Sequence, residues 1–199
     1  MSFFALPIAL YIASSASAGL KCGDYAPQHM HVSESEKFVS PDCKWTVNIK
    51  SDPVGNNPAK GAIVGKNGKI LYTFSVKRDA YLYWTSDNKF VVVDDLAGSD
   101  YNYVFVRKLF GKYKTYSIGE FVKKDVMAKI GVGSDIYHYY PKYYKDDERY
   151  FYIYVDVDYM TARNEGASDC LLYRIDKRTL GAIDLLKASA DASNCGAQP

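Results

Sequence analysis

One short phrase occurs three times along the chain: an apolar residue, two spacers, Asp, one spacer, Lys or Arg, then an aromatic that opens an alternating strand. Its copies are Val39/Asp42/Lys44/Trp45, Trp84/Asp87/Lys89/Phe90 and Tyr144/Asp147/Arg149/Tyr150. A phrase repeated in this way marks one supersecondary unit used several times, because a single unit cannot bury its apolar face and must stack on a neighbour. The third copy lies farther from the second than the second from the first, so an insertion of about fifteen residues belongs to the second unit. Residues 117–131 supply it. Ser117-Ile118-Gly119-Glu120 has the form of a capping box, Val122, Val126 and Ile130 share one helical face, and Gly131 can end the helix.

Strand periodicity dominates the rest. Phe151, Ile153, Val155 and Val157 alternate with Tyr150, Tyr152, Tyr154, Asp156 and Asp158, which predicts a strand with an aliphatic face and a Tyr/Asp face. Phe90-Val91-Val92-Val93 is continuously apolar, as a strand covered on both sides must be. Partner strands are expected at 70–76, 103–109 and 171–175, and shorter ones near 80–84, 114–118 and 182–186. The turns fall at Gly68-Lys69, Phe110-Gly111-Lys112 and Lys177-Arg178. The expected fold is therefore all-β: three antiparallel meander units forming an open partial propeller or a sandwich, with one short helix near 119–130.

Ser40-Pro41-Asp42-Cys43-Lys44-Trp45 and Ser86-Asp87-Asn88-Lys89-Phe90 resemble the Ser-Pro-Asp-Gly-Lys phrase through which blades of TolB-type and WD-like β-propellers enter a strand. The resemblance implies blade-like sheets, each entered through a tight turn in which Asp accepts hydrogen bonds from the backbone. Three units fall short of the four to eight blades of a closed propeller, hence the open form.

Residues 1–18 carry an apolar stretch from Phe3 to Ala13 followed by Ala16-Ser17-Ala18, the pattern of a secretory signal peptide, and leave residues 19–199 as one domain. Cys22, Cys43, Cys170 and Cys195 all follow that segment, and an even number in an exported chain suggests two disulfides. Nearest-neighbour pairing is favoured, with Cys22–Cys195 as the rival. A net charge of +2 with interspersed signs excludes a nucleic-acid-binding stripe, and no second apolar run is long enough to span a bilayer.

Signatures of nucleophilic hydrolases, zinc proteases and phosphate-binding loops are missing, so no catalytic residues or cofactor are expected. His29-Met30-His31 offers two ligands for zinc or copper, with no third evident in sequence, so no metal is expected. Asp94, Asp95, Asp156 and Asp158 could meet calcium but lack the spacing of a known loop, and strand-end hydrogen bonding accounts for them. His138 sits among Tyr137, Tyr139 and Tyr140 as an aromatic filler.

Two surfaces remain. Loops closing the first hairpin of each unit contain Gly55-Asn56-Asn57-Pro58, Gly98-Ser99-Asp100-Tyr101 and Asn164-Glu165-Gly166-Ala167-Ser168-Asp169. Corresponding loops of stacked repeats share one side and commonly bind partners, so Gly98, Ser99, Asp100, Tyr101, Gly166, Ala167, Ser168 and Asp169 are the candidate contact residues. Small exported proteins of this kind resemble periplasmic immunity proteins that block peptidoglycan amidases of type VI secretion. That resemblance implies a non-catalytic periplasmic inhibitor whose Ser99 or Ser168 plugs an amidase cleft. The alternative is an exported carbohydrate or ligand binder that uses the tyrosines from Tyr137 to Tyr144 around Tyr139.

Overall fold

A computed structural model describes residues 21–31, 33–51, 57–96, 101–110, 115–131, 135–180 and 183–189. In chain order the elements are β1 (Gln28–Met30), β2 (Glu36–Val39), β3 (Trp45–Lys50), β4 (Ala59–Gly65), β5 (Ile70–Val76), β6 (Ala80–Trp84), β7 (Phe90–Asp95) and β8 (Tyr103–Lys108). They continue with β9 (Thr115–Ser117), α1 (Ile118–Ile130), β10 (Asp135–Asp146), β11 (Tyr150–Met160), β12 (Gly166–Asp176) and β13 (Ile183–Ser189). The architecture is all-β, with three antiparallel meanders: β2-β3-β4-β5, β1-β6-β7-β8-β9 and β10-β11-β12-β13. The expected leader and Cys195 lie outside the described residues. No helix among the described residues is long and apolar enough to cross a membrane.

The middle sheet is the sandwiched one. On β7, Val91 and Val93 join Leu82 and Trp84 in a core shared with Val47, Ile49 and Ile63 of the first sheet. Phe90 and Val92 face the other way, into a core with Val104, Val106, Phe151, Ile153, Val155 and Val157. Continuous hydrophobicity of the run 90–93 is thus the imprint of a strand buried on both faces. Arg107 of β8 locks the first and middle sheets together. Its guanidinium lies 5.5 Å from the Tyr72 ring centre and 4.9 Å from that of Phe74, and it donates to Thr115 Oγ1 at 2.7 Å. Gly61 of β4 lies beneath the Phe74 ring, where a Cβ would overlap it.

Chemistry repeats at the turns. In the first, Ser40 Oγ donates to Asp42 Oδ1 (2.7 Å) and accepts from Trp45 N (2.9 Å), while Asp42 Oδ1 accepts from Lys44 N (3.1 Å). In the second, Thr85 Oγ1 donates to Asp87 Oδ1 (2.7 Å) and accepts from Phe90 N (3.0 Å), with Lys89 N donating to Asp87 Oδ1 (3.0 Å). Cys43 and Asn88 occupy the same place in the left-handed region, at φ 56° and 53°. The third copy keeps only the Asp half: Asp147 Oδ1 accepts from Arg149 N and Tyr150 N, and Lys145 offers no hydroxyl to bridge the strands. Thr85→Val is expected to cost about 1–3 kcal/mol, since at a fully buried position it orphans Phe90 N and takes from Asp87 Oδ1 one of its two hydrogen bonds. A urea midpoint unchanged from wild type would show that the hydroxyl contributes nothing.

The helix falls where expected, with Val122 and Val126 fully buried, but Ser117 makes no side-chain cap and the expected capping box does not form. Ser117 is instead the last residue of β9, paired in register with Phe105 of β8. Two features were not expected. Residues 135–146 form one long strand, β10, at an edge of the third sheet. The N-terminal strand β1 leaves the first sheet and pairs with β6. The segment leading into β1 is tied by the Cys22–Cys43 disulfide to the first Asp turn, and Gly23 lies so close to the Val39 carbonyl that a Cβ would overlap it. Cys170 is also disulfide-bonded, and no described cysteine is free.

Candidate functional site

Residues directly opposite one another in antiparallel strands project to the same face. The register His29↔Tyr81, Tyr81↔Asp94, Asp94↔Val104 therefore lays four side chains in a row across β1, β6, β7 and β8, on the face that looks toward the third sheet. Toward β8 that face is covered by the second core. Toward β1 it opens into a cleft of about 490 Å³.

Six tyrosines line this cleft. Tyr81 and Tyr83 come from β6, Tyr143 and Tyr144 from β10, Tyr154 from β11 and Tyr25 from the N-terminal segment, joined by Trp84, Pro27 and Leu96. Tyr83 packs on Tyr143 with ring centres 4.7 Å apart, and Tyr144 meets Tyr154 edge-on at 4.9 Å. The polar groups are Asp94, Lys142, Lys145, Asp146 and Ser86. A pocket of a few hundred cubic ångströms, mainly aromatic with a few convergent polar groups, has the dimensions and make-up of a small-ligand site.

Asp94 is its electrostatic centre. Only 3% exposed, it has one carboxylate oxygen, Oδ1, with no hydrogen-bond partner. Burial pushes its carboxyl up to about 7, against the opposing pull of the Tyr143 amide and the Lys142 charge, and the Asp95 charge adds to the rise. Asp95, on the opposite face of β7, is pushed up by burial to about 6, with Lys77 opposing. Burial also raises Tyr83 and Tyr143, the first further by the Asp94 charge and the second by Asp146. Near neutrality the Asp94 carboxyl can thus be held protonated, as a hydrogen-bond donor within an aromatic cleft.

One end of the cleft is braced by an ion network. Asp146 accepts from Tyr143 Oη (2.7 Å), Ser86 Oγ (2.7 Å), Ser86 N (3.1 Å) and Lys177 Nζ (2.6 Å). Lys177 also lies 3.5 Å from Asp87. It joins the second Asp turn to β10 and to the β12–β13 turn, holding the middle and third sheets at a fixed separation.

The expected contact residues divide into three groups. Gly98, Ser99 and Asp100 lie outside the described residues, as do Gly55 and Asn56. Tyr101 is 42% exposed, meets Tyr103 edge-on at 5.2 Å and bridges to Tyr139. Gly166, Ala167, Ser168 and Asp169 are not a loop: they are the first four residues of β12, paired with Met160, Tyr159, Asp158 and Val157. The turn itself is Thr161 to Glu165, closed by Thr161 N donating to Glu165 O, with Asn164 at φ 64°. Asn and Gly made 164–169 look like one loop, whereas Asn164 alone provides the left-handed residue and pairing resumes at Gly166. Through Tyr139 and Val157, two strands separate Tyr101 from Asp169, about 14 Å of sheet.

Ser168 is not a free nucleophile. It donates to Asp158, which also pairs with His138 Nδ1 at 2.9 Å; hydrogen bonding from Ser168 is the main cause holding the Asp158 carboxyl below its ordinary value. In a nucleophilic triad histidine stands between serine and aspartate; here aspartate stands between the other two. Asp169 accepts from Tyr159 Oη at 3.1 Å. Of the tyrosines expected around Tyr139, that residue and Tyr143 turn into the core, at 5% and 8% exposed, while Tyr137 is exposed. The aromatic cleft was out of reach of sequence reasoning because its tyrosines come from four separate segments. Asp94 and Asp95, expected to hydrogen-bond at a strand end, are instead buried with the Oδ1 of each unpartnered, and the signal for this is an acid pair directly continuing a four-residue apolar run.

Fold and cleft together define a class: a disulfide-tied all-β chain of three stacked antiparallel meanders, with a tyrosine-lined cleft between two of them. No family model matches the chain, and no match is found among curated proteins or solved structures.

Proposed function

We propose that this is an exported ligand-binding protein whose cleft between the middle and third sheets takes a carbohydrate or similarly polyhydroxylated ring. The observation that carries the reading is the cleft itself: six tyrosines around a buried carboxyl with an unused oxygen. Sugar rings present an apolar C–H face and a rim of hydroxyls. Tyrosine offers the complementary apolar face with a polar tip, and Asp94, Lys142 and Lys145 supply directional hydrogen bonds to hydroxyls. The Cys22–Cys43 disulfide supports an oxidising compartment, and the secretory pattern of residues 1–18 supports the periplasm.

A glycan array followed by calorimetry on the best binder tests this. Tyr144→Ala and Tyr81→Ala are each expected to weaken binding at least tenfold, with Tyr137→Ala, outside the cleft, as the silent control. Binding to no glycan, or equal loss in the control, overturns the proposal.

A second reading, an inhibitor of a cell-wall amidase, keeps support from one place. Tyr101 and Tyr137, both exposed, line a separate hollow of about 410 Å³ with Tyr103, Glu120 and Lys123, an aromatic patch of the kind that anchors protein partners. Inhibition of a periplasmic amidase that is lost in Tyr101→Ala and retained in Tyr144→Ala would favour this reading over the first.

A further inference from the structure

We propose that His29, His31 and Asp79 form a binding site for a borderline divalent transition-metal ion, of which zinc is the probe. The inference is independent of what the tyrosine cleft binds.

The site is a product of strand register. His29 and His31 are two residues apart on an extended segment, so their imidazoles project to one side. β1 pairs antiparallel with β6 through His29↔Tyr81 and Met30↔Ala80, and continuing that register by one residue sets Asp79 opposite His31. The carboxylate thus arrives from a remote part of the chain. His29 Nε2 lies 3.5 Å and His31 Nδ1 3.7 Å from Asp79 Oδ2, and the three donor atoms all lie within 4.8 Å of one another. Around tetrahedral zinc, with bonds of 2.0–2.2 Å, donor atoms stand about 3.4 Å apart. Two of the three edges are within about 0.3 Å of that separation, and the third does not exceed 4.8 Å.

Charge and surroundings agree with the donor set. Two neutral imidazoles and one carboxylate are the nitrogen-oxygen combination that zinc and copper prefer over calcium or magnesium. The His29 ring stacks on Tyr81 at 4.8 Å and meets His31 edge-on at 4.0 Å, contacts that restrict its orientation before any ion arrives. Side-chain exposures of 34%, 43% and 43% leave the site open to solvent, so water can complete the coordination. Because Tyr81 also lines the cleft, an ion here sits one ring away from it.

Zinc titration of the full chain with its disulfides formed, read by calorimetry and by competition with a chromophoric chelator at pH 7.5, tests the site. One equivalent is expected to bind at micromolar or tighter Kd, with affinity reduced at least tenfold in Asp79→Asn and at least a hundredfold in His29→Ala/His31→Ala, and unchanged in His138→Ala. Zinc is also expected to raise the melting temperature of wild type but not of Asp79→Asn, whose near-isosteric amide leaves the fold in place. No saturable binding overturns the proposal, as does binding that survives in the double histidine variant.

Discussion

Lys177→Met is expected to destabilise the fold by about 3–5 kcal/mol, the cost of leaving a buried charge without its counter-charge. The Lys177 side chain is 5% exposed and that of Asp146 7%, and the two meet at 2.6 Å, so neither can turn to water when the other is lost. The hydrogen bonds from Ser86 and Tyr143 would persist and orient Asp146, but they carry no positive charge. Methionine fills much the same volume against the Phe151 ring, which Lys177 Nζ approaches at 5.4 Å, so the loss reports charge rather than packing. Denaturant unfolding measures it. A change below about 1 kcal/mol would show that the network is solvated and does not clamp the two sheets. Asp146→Asn in the same background is expected to restore part of the loss, because it removes the charge left unpaired.

Stability against pH should peak in mildly acidic solution and fall toward neutrality, and Asp94→Asn should remove most of that fall. The folded chain holds the Asp94 proton up to about 7, whereas the unfolded chain releases it near 3.8. Between those values the folded state binds more protons, so unfolding free energy decreases as pH rises through the window and levels off above it. Asp95, raised to about 6, acts in the same direction over a narrower range. Some three units correspond to an upper limit of about 4 kcal/mol for Asp94. Asparagine keeps an acceptor for the Tyr143 amide and removes the charge, so Asp94→Asn is expected to be the more stable protein at pH 8 and nearly equal to wild type at pH 4.5. Below about pH 4 the slope reverses for both. Asp42 and Asp147, despite the upward push of burial, are held low by hydrogen bonds from Ser40 and Tyr152, and they lose that stabilisation on protonation. Denaturant titrations from pH 3 to 8 check the profile. Identical slopes for wild type and Asp94→Asn between pH 4.5 and 7 would place the charge elsewhere.

Chain-local features were legible from residue order. Strands at 70–76 and 80–84 fall on the expected residues, as do α1 and the double-sided burial of 90–93, because each follows from periodicity and from what a run of side chains can bury on its own. Asp42 and Asp87 accept the turn hydrogen bonds that their phrase implied, and Cys22 pairs with Cys43. Errors arose where a residue's meaning depends on its pairing partner. Ser168 resembled a loop tip yet lies in β12, held by an aspartate from the neighbouring strand. Whether Tyr139 faces a ligand or the core likewise depends on the pairing of β10, which turns that residue and Tyr143 inward and leaves Tyr137 exposed.

By itself the amino-acid order determined the kind of element, the repeated turn and the three-fold use of one meander, since these depend on contacts between near neighbours along the chain. Only the tertiary structure decided that β1 crosses to the middle sheet, that Asp94 is buried under tyrosines from four segments, and that Asp79 stands beside two histidines. Register between distant strands selects which side chains share a face, and a shift of one residue would send every one of them to the opposite side.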